Sequence, residues 1–558
     1  MKVSDEFTGY HRQLLGGDYD CLDRIVVNAY FQMGQHAGGF RNWWRDLFGS
    51  DDQLDRSHLE RMAGRFRRRV QAYARKHKIP FLACAQGERK HEIAKEYIPK
   101  DPDFIGVFLI LVGRAPAPVW QVYRNKNGRI CDIHRPKSWP HVNHYYFHLM
   151  DPEWGHVTIR MCGYPPFGTQ VILNGHEWVE RTARKQGVQV KKEGNCFVEG
   201  SDFQALDQIA MTLRQADAIG RLTKVCDRWV YSSCLCFGLD LQEQQKSRFQ
   251  YRYSCFQLEY SRNLLFTRGS MLDQVYQKLI DRTRTALDLK TLKTVFGYRS
   301  RPHQPKKRGQ QAVLLEKVIE RPTYDLTVFK LRWGNLALKI YDKGDQVLRV
   351  EVVAHNVGEL RCGRMLEKLP ELAAKMQQML VHFLNVVQAA HISFLDVGLL
   401  ESWPQPTHRG SRRLAGIDLN QERMRCVVNA VIALAAKPDG FSSRDLSDQV
   451  QQRLPVGGNP KDSKPYTVRQ ASYDLAKLRG KQLVDRRPRT QRYKVDASSV
   501  RSLCGYLLFR EGVLKPVVAG ASNHFPSLPP KTVSDLDQHD LNLRAELLRT
   551  FETLGIAA

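Results

Sequence analysis

The sequence predicts a multidomain α+β protein, with antiparallel sheets and helices followed by a C-terminal helix-turn-helix module that carries a basic two-stranded ribbon. Three observations predict it. The chain has 558 residues, which is too many for one core. Two stretches, 104–173 and 324–356, alternate strand-like runs with turn signals. The stretch Tyr466–Val495 reads as helix, turn, strand, arginine-rich tip and returning strand. The segments expected are a helical basic region over 1–100, an α+β domain with histidine-rich hairpins over 101–298, and a second antiparallel sheet with a long helix over 313–398. The terminal module is expected over 415–520, with an extended tail and last helix over 521–558.

Composition restricts the partners. Hydrophobic residues make up 42% and aromatics 10%, which suits packed domains. Lysine and arginine total 85 against 58 acidic residues, a net charge of +27. Such a charge concentrates polyanions and makes their binding salt-dependent. DNA is the expected partner and RNA the alternative. No run of about 18 apolar residues is present to span a membrane. MKVSDEFTGYHRQ has no apolar signal core, so a cytoplasmic, nucleoid-associated protein is expected. The twelve cysteines are scattered, with Cys234 and Cys236 the closest pair. That spacing fits neither a zinc ribbon nor a disulfide scaffold.

In chain order, Arg56–Lys76 is an amphipathic helix. Leu59, Met62, Phe66, Val70 and Tyr73 mark its apolar side, and Arg65, Arg67, Arg68 and Arg69 are candidate phosphate contacts. Ile79–Cys84 is a short strand, Gly87–Tyr97 a helix, and Phe104–Val112 an apolar strand. Asn127-Gly128 signals a hairpin between 119–124 and 129–133. His144, Tyr146 and His148 then share one strand face, Asp151 opens a turn, and His156 lies on the returning strand. These imidazoles and the carboxylate make His144, His148, Asp151 and His156 a candidate divalent-metal set. Val171–Leu173 is a third strand, and Asn174 or Gly175 opens a helix to about Gln186. GYPPFG and NGHEWVE are distinctive without an evident role. HEWVE lacks the second histidine of a zincin helix.

Residues 200–300 are expected to be mainly helical, with an aromatic-dense stretch at 249–260 and a helix over Gln274–Leu289. Arg299–Gln311 is a basic loop whose Lys306, Lys307 and Arg308 suit a phosphate backbone. Strands follow at 324–333, 336–343 and 347–356, turned at Gly334-Asn335 and Gly344-Asp345. Residues 364–390 form a long helix whose leucine and methionine stripe fits a core or a homodimer. Glu401–Gly410 is a linker by composition.

The terminal module starts with a helix over Gln421–Ala436 and a second one capped by Ser442 or Ser443. Leu454–Lys464 is a loop, and Thr467 caps the third helix. Val468, Ser472, Leu475 and Leu478 are its expected buried stripe, and Gly480 its left-handed stop. Off the stripe lie Arg469, Gln470, Tyr473, Asp474 and Lys477. Arginine and glutamine can read base edges in the major groove. The DNA-contacting set is therefore Arg469, Gln470, Tyr473, Lys477, Arg486, Arg487, Arg489, Arg492 and Lys494. This order of elements resembles the winged helix-turn-helix of MarR-like regulators. The whole chain also resembles a bacterial family recognisable by its terminal winged helix, a resemblance that carries no activity.

The strand pair LKIYDKG…VLRVEVVAHNVGEL is similar to one in rolling-circle replication initiators, over about 25 residues. That resemblance implies a DNA-nicking or strand-transferring enzyme of a mobile element. Tyr341 would be its nucleophile, Asp342 and Glu351 would flank a metal, Mg or Mn, and Lys343 or Arg349 would hold a phosphate. The family's two histidines, separated by one apolar residue, are not matched, since three residues separate His144 from His148. The competing expectations are a non-catalytic transcription regulator and an RNA-binding ribonucleoprotein component.

Overall fold

The computed structural model describes residues 3–85, 87–272, 316–320, 326–333, 335–343, 346–391, 401–409, 412–437, 439–454 and 465–515, with isolated positions near 275 and 535–549. The helix expected at 274–289, the loop holding Lys306, Lys307 and Arg308, the loop at 455–464 and the tail at 521–534 lie outside the described residues. The chain forms two compact units built from interleaved segments. The unit from the middle of the chain, the central unit, joins Tyr19–Ser261 to Val353–Ala374, and the unit from the flanking segments of the chain, the outer unit, joins Met1–Asp18, Arg262–Val352 and Lys375–Ala558.

The strands of the first half are β1 (Leu15–Phe31), β2 (Phe81–Ala83), β3 (Gly106–Pro116), β4 (Gln121–Arg124), β5 (Ile130–His134), β6 (His141–Asp151), β7 (Gly155–Cys162), β8 (Thr169–Asn174), β9 (Val190–Lys192), β10 (Phe197–Gly200) and β11 (Tyr251–Phe266). The helices are α1 (Glu6–Tyr10), α2 (Ala37–Phe48), α3 (Arg56–Lys76), α4 (Lys90–Glu96), α5 (Gly175–Lys185), α6 (Phe203–Met211), α7 (Asp217–Trp229) and α8 (Leu241–Lys246).

The central unit's sheet runs β11-β1-β8-β7-β6-β3-β2. β6 and β7 pair with Tyr146 opposite Arg160 and His148 opposite Thr158, and β8 pairs on its far side with β1. The expectation of purely antiparallel sheets is corrected at one edge, where β2 runs parallel to β3. A parallel neighbour needs a crossover, and α4 lies in that connection.

Two strands replace expected helix. β1 occupies the N-terminal region and β11 the aromatic stretch. From Tyr19 to Phe31 almost every residue is buried or half-buried, and from Leu258 to Phe266 nearly all are buried. A strand covered on both faces loses its alternation, which is why neither was visible as a period of two.

α3 starts at Asp55, whose carboxylate accepts from the His58 amide at 2.9 Å. It buries Leu59, Met62, Phe66 and Val70 as its spacing requires. Asn174 caps α5, and Gly175 lies so close to the Leu22 carbonyl that a Cβ there would fall 1.8 Å from its oxygen. Only glycine fits that approach.

In the outer unit, β12 (Glu316–Glu320), β13 (Leu326–Trp333), β14 (Leu336–Asp342) and β15 (Val347–Ala354) follow one another as neighbours, with Phe329 opposite Ile340. β15 is buried along its whole length, including Arg349 and Glu351. The long helix α9 (Leu369–His391) begins later than its leucine stripe suggests, after a single 3-10 turn at Leu366–Lys368. Part of the expected linker is a small hairpin, β16 (Thr407–Arg409) with β17 (Arg412–Leu414). Then come α10 (Glu422–Ala435), α11 (Ser443–Arg453), α12 (Val468–Gly480), the ribbon β18 (Asp485–Arg486) with β19 (Tyr493–Lys494), and α13 (Ala497–Phe509).

Candidate functional site

The terminal helices and ribbon are held by caps and a buried acid. Ser442 caps α11 and Thr467 caps α12, each with a reciprocal capping box. The Thr467 hydroxyl accepts from the Gln470 amide, while Gln470 Oε1 accepts from the Thr467 amide at 2.8 Å. The stripe that α12 buries is Ala471, Asp474, Leu475 and Leu478. Val468 and Ser472 are exposed, which corrects the expected stripe by a fraction of a turn.

Asp474 has no exposed side-chain surface. Its carboxylate accepts from Tyr466 Oη at 2.8 Å and from Arg423 at 3.3 Å, and Lys477 Nζ stands 3.4 Å away. A buried carboxylate persists only when paired in this way. Burial, followed by the Asp474 charge, pushes the Tyr466 phenol far above its ordinary range. Lys477 is therefore a structural partner with 6% exposure, and its assignment as a DNA contact is corrected.

Gly480 is corrected too. Its φ is helical, and the left-handed residue is Gln482 at φ 58°. Glycine at 480 leaves room for Thr407, because a Cβ there would lie 2.6 Å from its Oγ1 and push that side chain aside.

The ribbon is tied back to the loop before α11. Phe441 and Tyr493 exchange backbone hydrogen bonds of 2.9 and 2.7 Å. Arg492 donates to the Gly440 carbonyl at 2.8 Å, so this arginine is half-buried and used by the fold. Arg486, Arg487, Arg489 and Lys494 remain exposed, as do Arg469, Gln470 and Tyr473 on α12.

The field of these cations reaches their neighbours. Burial, reinforced by Lys494 and Arg487, lowers the His382 pKa. Burial raises the Asp439 carboxyl, but Lys375, Arg492 and Arg487 outweigh it and hold it below its ordinary value.

The histidine hairpin forms as its alternation requires, yet it does not gather a metal set. His148 Nδ1 lies 3.0 Å from His156 Nε2, and Thr158 Oγ1 stands 3.1 Å from the same His148 nitrogen. Asp151 faces other partners. Its Oδ1 accepts from the amides of Glu153 and Trp154, and its Oδ2 accepts from Arg228 and from Trp229 Nε1 at 2.7 and 2.8 Å. Both oxygens are thus engaged in closing the turn and anchoring α7. His144 sits elsewhere on β6 with Nδ1 3.2 Å from the Val142 carbonyl. Burial lowers His148 to about 3 and His144 to about 4, with His156 and Arg160 adding to the respective shifts.

Among the described residues, a different group brings three metal-capable side chains together. Cys21, Asp23 and His176 have ligand atoms within 4.8 Å of one another, all buried. Sulfur and imidazole donors suit zinc, not the oxygen-rich shells of Mg or Mn. Cys21 and Asp23 lie on β1, which was expected to be helical. His176 lies in the NGHEWVE segment, whose unusual composition was the one visible signal.

Tyr341 donates its phenolic hydrogen to Glu351 Oε2 at 3.0 Å, and Lys339 Nζ stands 3.7 Å from the same oxygen. Glu351 is 4% exposed. Asp342 and Glu351 join no three-ligand group among the described residues. On α3, Arg65 pairs with Glu243 at 2.6 Å and donates to the Gly238 carbonyl, while Arg69 reaches Asp240 at 3.5 Å. These two arginines fasten α8 and the turn before it, leaving Arg67 and Arg68 exposed.

Comparison with protein-family models, with curated proteins and with solved structures found no match. No helix among the described residues is long and apolar enough to cross a membrane. None of the twelve cysteines forms a disulfide.

Proposed function

We propose that the protein binds nucleic acid, DNA before RNA, through α12 and the ribbon acting as a winged helix-turn-helix. One observation carries this reading. Seven side chains able to meet a duplex stay exposed on that module, Arg469, Gln470 and Tyr473 on α12 and Arg486, Arg487, Arg489 and Lys494 on the ribbon. Lys477 and Arg492, from the same stretch, are absorbed by the fold. A recognition helix places its N-terminal residues against base edges, and a basic wing neutralises phosphate. The net charge of +27 supports the same partner. The test is fluorescence anisotropy with duplex DNA across a salt series. The reading fails if Arg487→Ala/Arg489→Ala leaves both affinity and salt slope unchanged. DNase and RNase sensitivity of co-purified nucleic acid separates the regulator or replication reading from a ribonucleoprotein component.

A second reading, strand nicking of the rolling-circle type, has one observation in its favour. The Tyr341 phenol is hydrogen-bonded to a buried carboxylate, which is the arrangement of a nucleophile beside its base. The reading expects supercoiled DNA with Mg²⁺ or Mn²⁺ to yield a nick and a covalent adduct, both absent in Tyr341→Phe.

A further inference from the structure

The central unit contains a cleft of about 660 Å³ that none of the preceding functions uses. It is lined by residues of β1, β7 and β8, by Pro116–Val119, by the Tyr164–Pro166 turn and by Arg364 and Met365. The volume lies within the range of small-ligand sites, roughly 300–1,000 Å³.

Three arginines line the cleft, Arg135, Arg160 and Arg364, and none of its described lining residues is Asp or Glu. Two of them are held in place by neutral groups. Arg135 lies over the Trp120 ring at 4.5 Å and donates to the Gly34 carbonyl at 3.2 Å and to Gln35 Oε1 at 3.3 Å. Arg160 donates to Gln170 Oε1 at 3.2 Å, and Gln170 in turn donates to Asn28 Oδ1 at 3.1 Å. The Nε of both arginines is buried without a hydrogen-bond partner.

Guanidinium groups carry five donors in a planar fork that matches an oxyanion. Three of them on one cleft, with no acidic residue among the described lining residues, leave that lining positively charged. Like charges brought to one cleft repel, and an anionic ligand between them relieves that repulsion. The remaining lining fits the rest of a nucleotide. Tyr164, Pro165 and Pro166 offer flat apolar surface, and His144 faces the cleft with its Nδ1 engaged by the Val142 carbonyl. This assigns a role to the GYPPFG turn.

We propose that this cleft binds the phosphate of a nucleotide, with Arg160 and Arg364 as its principal ligands and Arg135 assisting. The site is separate from α12 and the ribbon, and it stands whether or not these bind DNA.

The test titrates full-length protein with AMP and with adenosine by calorimetry at low ionic strength. AMP binds and adenosine binds at least about tenfold more weakly, as charge-assisted hydrogen bonds require. Arg160→Ala and Arg364→Ala each weaken AMP about tenfold, and Arg160→Lys retains part of the affinity. Arg364 is exposed, so its variant is expected to fold even if Arg160→Ala does not. The proposal is overturned if AMP does not bind, if adenosine binds as well as AMP, or if Arg364→Ala leaves AMP affinity unchanged. It is also overturned if Arg487→Ala/Arg489→Ala abolishes AMP binding, which would place the anion on the ribbon. A 5′-phosphorylated oligothymidylate added as competitor distinguishes the source. Displacement of AMP assigns the phosphate to a strand end, and failure to displace assigns it to a free nucleotide; both results uphold the phosphate site.

Discussion

His176 Nδ1 stands 3.1 Å from the Asp23 carboxylate, and neither side chain has any exposed surface. Ser261 donates to Asp23 Oδ1 at 2.9 Å, and Tyr19 Oη lies 3.3 Å from His176 Nε2. β1, β11 and the first turn of α5 therefore meet through polar groups inside the central unit. Removing one member leaves the other polar and buried. His176→Ala and Asp23→Ala should each cost about 3–5 kcal/mol of stability, the scale of breaking a buried pair. Urea unfolding of the two single variants and the double variant measures it. The double variant should be less destabilised than the sum of the singles, because the second truncation removes the orphaned partner. Strict additivity would mean the pair is not coupled.

Asp474 allows function to be separated from folding within α12. Truncating it strands Lys477, which is 6% exposed, and releases Tyr466. Asp474→Ala should lower stability by about 3–5 kcal/mol. Tyr466→Phe, losing one hydrogen bond to a charged acceptor, should cost about 1.5–3 kcal/mol. At temperatures where the variant Tyr466→Phe remains folded, its DNA affinity should equal that of the parent protein. A selective loss of affinity without loss of stability would contradict the structural assignment of this acid.

The same helix shows where sequence reasoning stops. Its N-cap, its boundaries and half of its expected stripe were legible, because Thr467, Leu475 and Leu478 act through local geometry. Asp474 was not, since a charged residue beside Tyr473 and Lys477 reads as solvent-facing until Tyr466 and Arg423 are seen around it. Gly480 looked like a left-handed stop, whereas the constraint comes from Thr407, more than seventy positions away. The histidine alternation on β6 correctly placed His148 near His156, but the partners of Asp151 come from α7, which no local pattern connects to that turn. β1 and β11 failed for the reason common to fully covered strands. The cleft arginines, Arg135, Arg160 and Arg364, come from three separate stretches of chain, so no spacing in the sequence joined them.

The buried histidines of β6 predict an acid-sensitive central unit. In the folded protein His148 is lowered to about 3 and His144 to about 4, both by burial first. An unfolded histidine titrates near 6.5. The unfolded state therefore binds protons that the folded state refuses as pH falls below about 6.5. Stability contributed by the neutral imidazoles is complete above that pH and is lost on descent toward the folded values. The slope is at most about 1.4 kcal/mol per pH unit for each histidine. Urea midpoints for the parent protein and for His144→Gln/His148→Gln, compared between neutral and mildly acidic pH, isolate this contribution. The variant should lose less stability on acidification; equal losses in the two proteins would place the acid sensitivity elsewhere.

The exposed side chains of the terminal module make two separable predictions about DNA. Arg486, Arg487, Arg489 and Lys494 are exposed on the ribbon, and the one ion pair they form with an acid among the described residues is Arg487 to Asp439 at 4.0 Å. Each one that meets a phosphate releases a counterion, so its alanine variant should reduce the slope of log affinity against log salt by about 1. That loss should be the same for every duplex sequence. Arg469 and Gln470 lie in the first turn of α12, where a recognition helix meets base edges. Gln470 also closes the capping box through Thr467, so Gln470→Ala is expected to cost some helix stability as well as contact. Arg469 has no such duty in the fold. Arg469→Ala should weaken a selected high-affinity duplex by about 1–3 kcal/mol while changing random-sequence binding little. Selection of bound sequences from a random pool, repeated with Arg469→Ala, reads this directly. Relaxed preference at one base position with a retained salt slope is the expected pattern. An identical loss on selected and random duplexes would move Arg469 from base reading to backbone contact.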